Sequence, residues 1–167
     1  IESTTAVDGV TGEKGLTGYS AMAVQAVAAL LAKYMTVNNN FLTEIMKKHP
    51  KLYQTFRFHI DTWCLQKYYP LIGDCGCFGK PNGYYAGVAI KPGDGPFTED
   101  KIFEPSMASF MLELYKITGD TAFVKALKCS YPNTNSKIPW DLAKDEIDES
   151  QTMFDNILKE AGDEINI

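Results

Sequence analysis

Arginine is nearly absent from this sequence. Arg57 is the single one among 16 basic residues, against 21 acidic, and the net charge is −5. Nucleic-acid binding calls for a basic face, and none is visible, so nucleic acid is not an expected partner. The same poverty argues against gripping a long sulfated polyanion and leaves a neutral or lightly charged ligand less hampered. Long apolar runs are missing too. The longest, residues 21–32, is interrupted by Gln25 and falls short of the roughly 18–20 residues a membrane-spanning helix needs, so no membrane partner is expected.

Cysteine and histidine are scarce. Cys64, Cys75, Cys77 and Cys129 lack paired CxxC spacing, and His49 and His59 are the only histidines. A zinc site needs ligands at closer and more regular intervals, so no metal is expected. The thiols read as buried or free, with at most one disulfide. There is no GxSxG elbow, P-loop, HExxH or dinucleotide fingerprint, and no cofactor is expected. What the sequence does contain is apolar material, 45% of 167 residues, enough to bury a core of ordinary density.

Glycine is concentrated. In "GVTGEKGLTG" it falls at every third position from Gly9 to Gly18. Collagen would need many more repeats and abundant proline. "TGEK" resembles the linker between zinc fingers, but the flanking ligands are absent. The stretch reads as a pliable loop running into a helix.

That helix is the strongest element. Ser20 is placed to cap it, and "AMAVQAVAALLAKYM" follows with only Gln25 and Lys33 polar. A helix apolar on nearly every side is expected to be surrounded by others. "FLTEIMKKH" predicts a second helix stopped by Pro50, with His49 at its C-terminal end. Pro50 suits the first turn of a third helix, expected to run to about Tyr68 with Leu52, Phe56, Ile60 and Trp63 on one stripe. His59 on that helix reads as a core histidine with one hydrogen-bond partner rather than a catalyst.

Residues 69–104 are rich in glycine, proline and aromatics and predict a long loop, with strand pairing around Tyr84–Ile90 as its only ordered candidate. Helices resume at Pro105. "TGD", residues 118–120, reads as a stop and a start: Gly119 takes the left-handed position, and Asp120 or Thr121 caps the next helix, making an αα-hairpin. A last helix spans about Asp145 to Ala161. This rhythm predicts an all-α fold of helical hairpins with long glycine-rich loops, fitting a stack or ring of hairpins better than a four-helix bundle.

Two loops carry the candidate chemistry. The first holds Asp8, Glu13 and Tyr19. The second holds Tyr69, Asp74, Phe78, Lys80, Asn82 and Tyr84. Each has an ordinary reading beside the functional one. Glu13 reads as a solvated loop charge, Tyr19 as an aromatic at a helix entry, and Asp74 as a turn former bonding its own backbone.

"DG…E…GY", carried by Asp8, Gly9, Glu13, Gly18 and Tyr19 and leading into a long apolar helix, resembles the heparinase II/III-like polysaccharide lyases. "YPLIGDCGCFG", residues 69–79, and "LYKITGDTAF", residues 114–123, are similar to later stretches of that family, in the same order. The resemblance implies an incomplete (α/α) toroid and β-elimination on uronic-acid-containing glycans. A periplasmic or secreted protein is implied with it. Tyr19 would be the catalytic phenol, with Glu13 beside it. Asp74, Tyr69, Phe78, Lys80, Asn82 and Tyr84 would line the sugar channel. A phenol, near pKa ~10 by itself, serves only if its surroundings favour the phenolate or if it acts as the acid.

In the family an Asn or His pair on a preceding helix neutralises the uronate, and the seven residues before this loop hold neither. The chain is therefore expected to be one helical domain, or a fragment of a larger toroid domain, holding part of one active site and showing little turnover alone. It would meet further domains or a second copy. A non-catalytic helical module that binds carbohydrate or acts as a scaffold is the rival expectation, and a plain structural domain is a third.

Overall fold

A computed structural model describes residue 16 and residues 19–65, 68–70, 105–130 and 147–161. Six helices lie there: α1 (Tyr19–Met35), α2 (Phe41–Lys48), α3 (Lys51–Asp61), α4 (Pro105–Thr118), α5 (Thr121–Ser130) and α6 (Ile147–Ala161). The described residues contain no strand, only an isolated antiparallel bridge between Cys64 and Tyr68. The all-α class is therefore found. The region around Tyr84–Ile90 lies outside the described residues.

In α1 the buried positions Val24, Ala28, Leu31, Ala32 and Met35 recur at helical spacing, the stripe a helix presents to a core. The helix packs on α2, α3 and α4. Its other side is not enclosed: Leu30, Tyr34 and the following Val37 are exposed. The expectation of a fully surrounded helix fails because described neighbours cover only part of its circumference. The expected cap also shifts. The helix opens at Tyr19, so Ser20 lies inside its first turn, buried, rather than at the N-cap.

The five residues between α1 and α2 turn the chain by local bonds. The Asn38 side chain accepts the backbone N–H of Asn40 at 2.9 Å, and the Asn38 carbonyl accepts that of Phe41 at 3.0 Å. Such asparagine self-bonding competes with helix and sets turns. The Tyr34 ring stacks on Phe41 across this connection, centroids 4.9 Å apart. The short α2 buries Leu42 and Met46, one turn apart. His49 is its C-cap as expected, its backbone N–H reaching the Ile45 carbonyl at 2.8 Å.

The α4–α5 corner follows the sequence reading closely. Gly119 has φ 69°, a conformation glycine adopts without Cβ strain. Its N–H meets the Tyr115 carbonyl at 2.7 Å, and Asp120 Oδ1 accepts the N–H of Ala122 at 3.0 Å, capping α5. The two helices pack together as a hairpin, with α4 also on α1, α5 also on α3, and α6 against both. Phe110, Met111, Leu114, Phe123, Val124 and Leu127 from the hairpin join Leu52, Phe56 and Ile60 of α3, and Phe154 and Ile157 of α6, in one apolar core. Phe56 meets Phe110 edge-on at 5.0 Å, a favoured aromatic geometry. Each such fully buried side chain stabilises the fold by about 1.5–3 kcal/mol relative to exposure. No helix among the described residues is long and apolar enough to cross a membrane.

Candidate functional site

Glu13, Asp74, Phe78, Lys80, Asn82 and Tyr84 lie outside the described residues. Tyr19 is the first residue of α1. Tyr69 is described in full, and the sequence misjudged the ground leading up to it. The third helix stops at Asp61 rather than near Tyr68. Thr62 is its C-cap: its N–H and its Oγ1 both bond the Phe58 carbonyl, at 3.0 and 2.7 Å. Trp63 therefore follows the helix, still buried, and Cys64 is exposed.

Beyond it the chain doubles back. Cys64 and Tyr68 exchange backbone bonds of 2.7 and 3.0 Å, and Leu65 takes φ 55° with its side chain 90% exposed. A left-handed leucine is strained by roughly 1–2 kcal/mol. The turn brings Tyr69 back onto the end of α3. Its ring lies nearly parallel to that of Trp63, 7° apart with centroids at 6.4 Å. It meets His59 at 6.4 Å and 62°, and His59 also touches Phe58 edge-on. Tyr69 is only 6% exposed and His59 only 1%. Burial pushes the imidazole pKa down to about 4, because a charged ring there would lose its hydration. His59 is neutral at pH 7. We call this group the aromatic clamp.

A second cluster lies on another side of α3. Tyr53, Arg57 and Asp61 follow one another at intervals of four and so share a face. Arg57 Nε donates to Asp61 at 2.7 Å, and Nη1 donates to both oxygens of Asp120 at 2.8 and 2.9 Å. The Tyr53 hydroxyl donates to Asp120 Oδ2 at 2.6 Å. With the Ala122 N–H, the Asp120 carboxylate accepts four bonds from two helices. This polar lock ties α3 to the α4–α5 corner.

Burial alone would raise the Asp120 pKa, but the bonds from Tyr53, the Ala122 N–H and Arg57 more than offset it and hold the carboxyl below its ordinary value. Burial and the bond to Asp120 push the Tyr53 phenol up to about 12. Burial would lower the Arg57 pKa, yet Asp120 and Asp61 raise it. The lock thus holds a carboxylate, a guanidinium and a neutral phenol in fixed mutual bonds.

Sequence reasoning singled out Arg57 for its rarity and Asp120 as a cap, but missed their pairing and Tyr53. The local signal was the Tyr-x-x-x-Arg-x-x-x-Asp spacing. The distant partner left none. Among the described residues no group of three or more His, Cys, Asp or Glu could hold a metal ion. Comparisons with protein-family models, with curated proteins and with solved structures find no match.

Proposed function

We propose that this chain belongs to the helical array of a polysaccharide lyase acting on uronic-acid-containing glycans by β-elimination, with Tyr19 at the reaction centre. In that reaction a base takes the proton from C5, the electron pair forms the C4–C5 double bond, and O4 leaves with a proton supplied by an acid. The observation that carries the reading is the position of Tyr19: it opens α1 directly after the glycine-rich stretch, so the "GY" of the resemblance falls at a helix entry. The α4–α5 hairpin and the all-α composition are compatible with a toroid built of hairpins. Glu13 stands in the same stretch, and Asp74, Phe78, Lys80, Asn82 and Tyr84 belong to the proposed sugar channel. The substrate class places the protein in the periplasm or outside the cell.

The rival reading, a non-catalytic helical module that binds carbohydrate, is favoured by one observation. The ionisable groups of the polar lock are engaged with one another, as befits a scaffold.

The test pairs binding with product formation. Oligosaccharides of alginate, heparan and hyaluronan, and a neutral glucan as control, are titrated against the chain while the ultraviolet absorbance of the unsaturated product is followed. The lyase reading expects selective binding of the uronates, weakened when Tyr19→Phe and Glu13→Gln are combined, and product that vanishes in Tyr19→Phe wherever turnover is present. Selective binding untouched by both substitutions would favour the carbohydrate-binding module. Equal indifference to uronates and glucan would overturn the proposal.

A further inference from the structure

The buried side of α1 packs on α2, α3 and α4, but the helix carries a second apolar stripe. Ala26, Leu30, Tyr34 and Val37, the last just past the helix end, follow at intervals of four, four and three and so share a face. All four are exposed, Leu30 by 56%, Tyr34 by 51% and Val37 by 86%. Lys33, beside the stripe, is the only charged residue of α1. The Tyr34 ring is already stacked on Phe41, so little ordering cost falls on it when a partner arrives. Large apolar side chains left open side by side mark an interaction surface.

The stripe is one helix wide and about 17 Å long, a shape that fits a helix. Its side chains are graded in size: alanine at 23 and 26, then the larger Leu30, Tyr34 and Val37. A second copy brings the same gradient. We propose that this face is a self-association surface, on which a second copy of the chain lays its own α1 antiparallel. In a two-fold pair centred on Leu30, Tyr34 lies over the partner's Ala26 and Val37 over the partner's Ala23, so large meets small at both ends and each copy uses the same patch. A parallel pair would set large on large and bring the two Lys33 charges together. The antiparallel pair keeps those charges about 9 Å apart along the axis.

The exposed side chains offer on the order of 300 Å² per copy, well short of the ~800 Å² per partner of a stable complex. The pair is therefore weak, with a dissociation constant in the high-micromolar range or above. Apolar burial drives it and the one charge beside the stripe opposes it, so salt strengthens it. Nothing in this inference depends on the lyase reading.

Sedimentation velocity of the unaltered chain, from micromolar to millimolar concentration, is expected to show a monomer–dimer equilibrium that tightens severalfold in sodium sulfate. Leu30→Lys and Leu30→Glu each place a charge at the centre of the pair. Each is expected to weaken it by about tenfold or more, with the far-ultraviolet helix signal unchanged. Mixing the two variants is expected to restore the dimer, because the two positions face each other across the two-fold. A chain that stays monomeric at millimolar concentration would overturn the inference whatever the variants do. So would a dimer that survives in both variants, or one that does not return on mixing. Loss of the helix signal in both variants would mean that the chain's own residues cover Leu30, and would overturn it too. An equimolar mixture of Lys33→Glu with the unaltered chain is expected to pair no more tightly than the unaltered chain alone. Marked tightening there would mean that the two 33 positions meet, as in a parallel pair, and would overturn the antiparallel register.

Discussion

One helix, α3, carries two clusters built on opposite principles. The polar lock of Tyr53, Arg57, Asp61 and Asp120 is charged, partly exposed and densely hydrogen-bonded. The aromatic clamp of His59, Trp63 and Tyr69 is neutral and buried, its rings meeting at Tyr69. The difference sets where each is vulnerable. Asp120 has its pKa depressed in the folded chain, so its contribution is present above about 3.8, the ordinary value, and is lost as pH falls below it. Tyr53 has its pKa raised, so its contribution is present below 10 and lost as pH climbs toward about 12. His59 is also depressed, from 6.5 to about 4, so its neutral burial turns against the fold progressively between those values as pH falls. Mild acid therefore reaches the clamp well before it reaches the lock.

The largest effect expected from breaking either side is Trp63→Ala. Removing a buried indole from the end of α3 should destabilise the chain by about 3–5 kcal/mol, read from the urea midpoint. The amides of Cys64 and Tyr68 should lose exchange protection while that of Ala122 keeps it. Asp120→Ala attacks the lock and takes the partner from Arg57 Nη1, the Tyr53 hydroxyl and the Ala122 N–H together, while Arg57 Nε keeps Asp61. A loss of about 2–4 kcal/mol is expected, with the acid limb below pH 4 flattened and the limb between pH 6.5 and 4 unchanged.

Smaller changes sharpen the contrast. Tyr53→Phe removes one bond to a carboxylate, with an expected loss of about 1–2 kcal/mol and disappearance of the alkaline limb between pH 10 and 12. Leu65→Gly is expected to act the other way. It relieves the left-handed strain, offset in part by the entropy glycine adds to the unfolded chain, for a net gain of about 0.5–1 kcal/mol. Thermal midpoints of the paired variants check both.

The sequence made each cluster partly legible: His59 and Trp63 were expected in the core and are buried there. Gly119 and Asp120 announced the corner because a glycine stop followed by an aspartate start has a local mechanism. The partners of Asp120 on α3 lie 63 and 67 residues earlier in the chain, and no local pattern encodes that distance. The end of α3 was overrun because Trp63 continues the apolar spacing of Leu52, Phe56 and Ile60, and no glycine or proline intervenes before Pro70. The helix nevertheless closes at the Thr62 cap, and Leu65 turns the chain left-handed after it. Tyr69, expected in a sugar channel, is folded onto Trp63 and His59 because the helix stopped early enough for the chain to return. The apolar make-up of α1 was read from composition, but composition does not say how many neighbours will cover a helix, and Leu30 and Tyr34 remained exposed.

The separation of the two clusters by pH is open to a direct measurement: protection factors of individual amides at pH 7 and pH 5. The account predicts that Cys64 and Tyr68 lose protection at pH 5 while the Ala122 amide, bonded to Asp120, keeps its own. Equal loss at all three would mean that α3 responds to acid as one unit, and the distinction drawn between lock and clamp would be wrong.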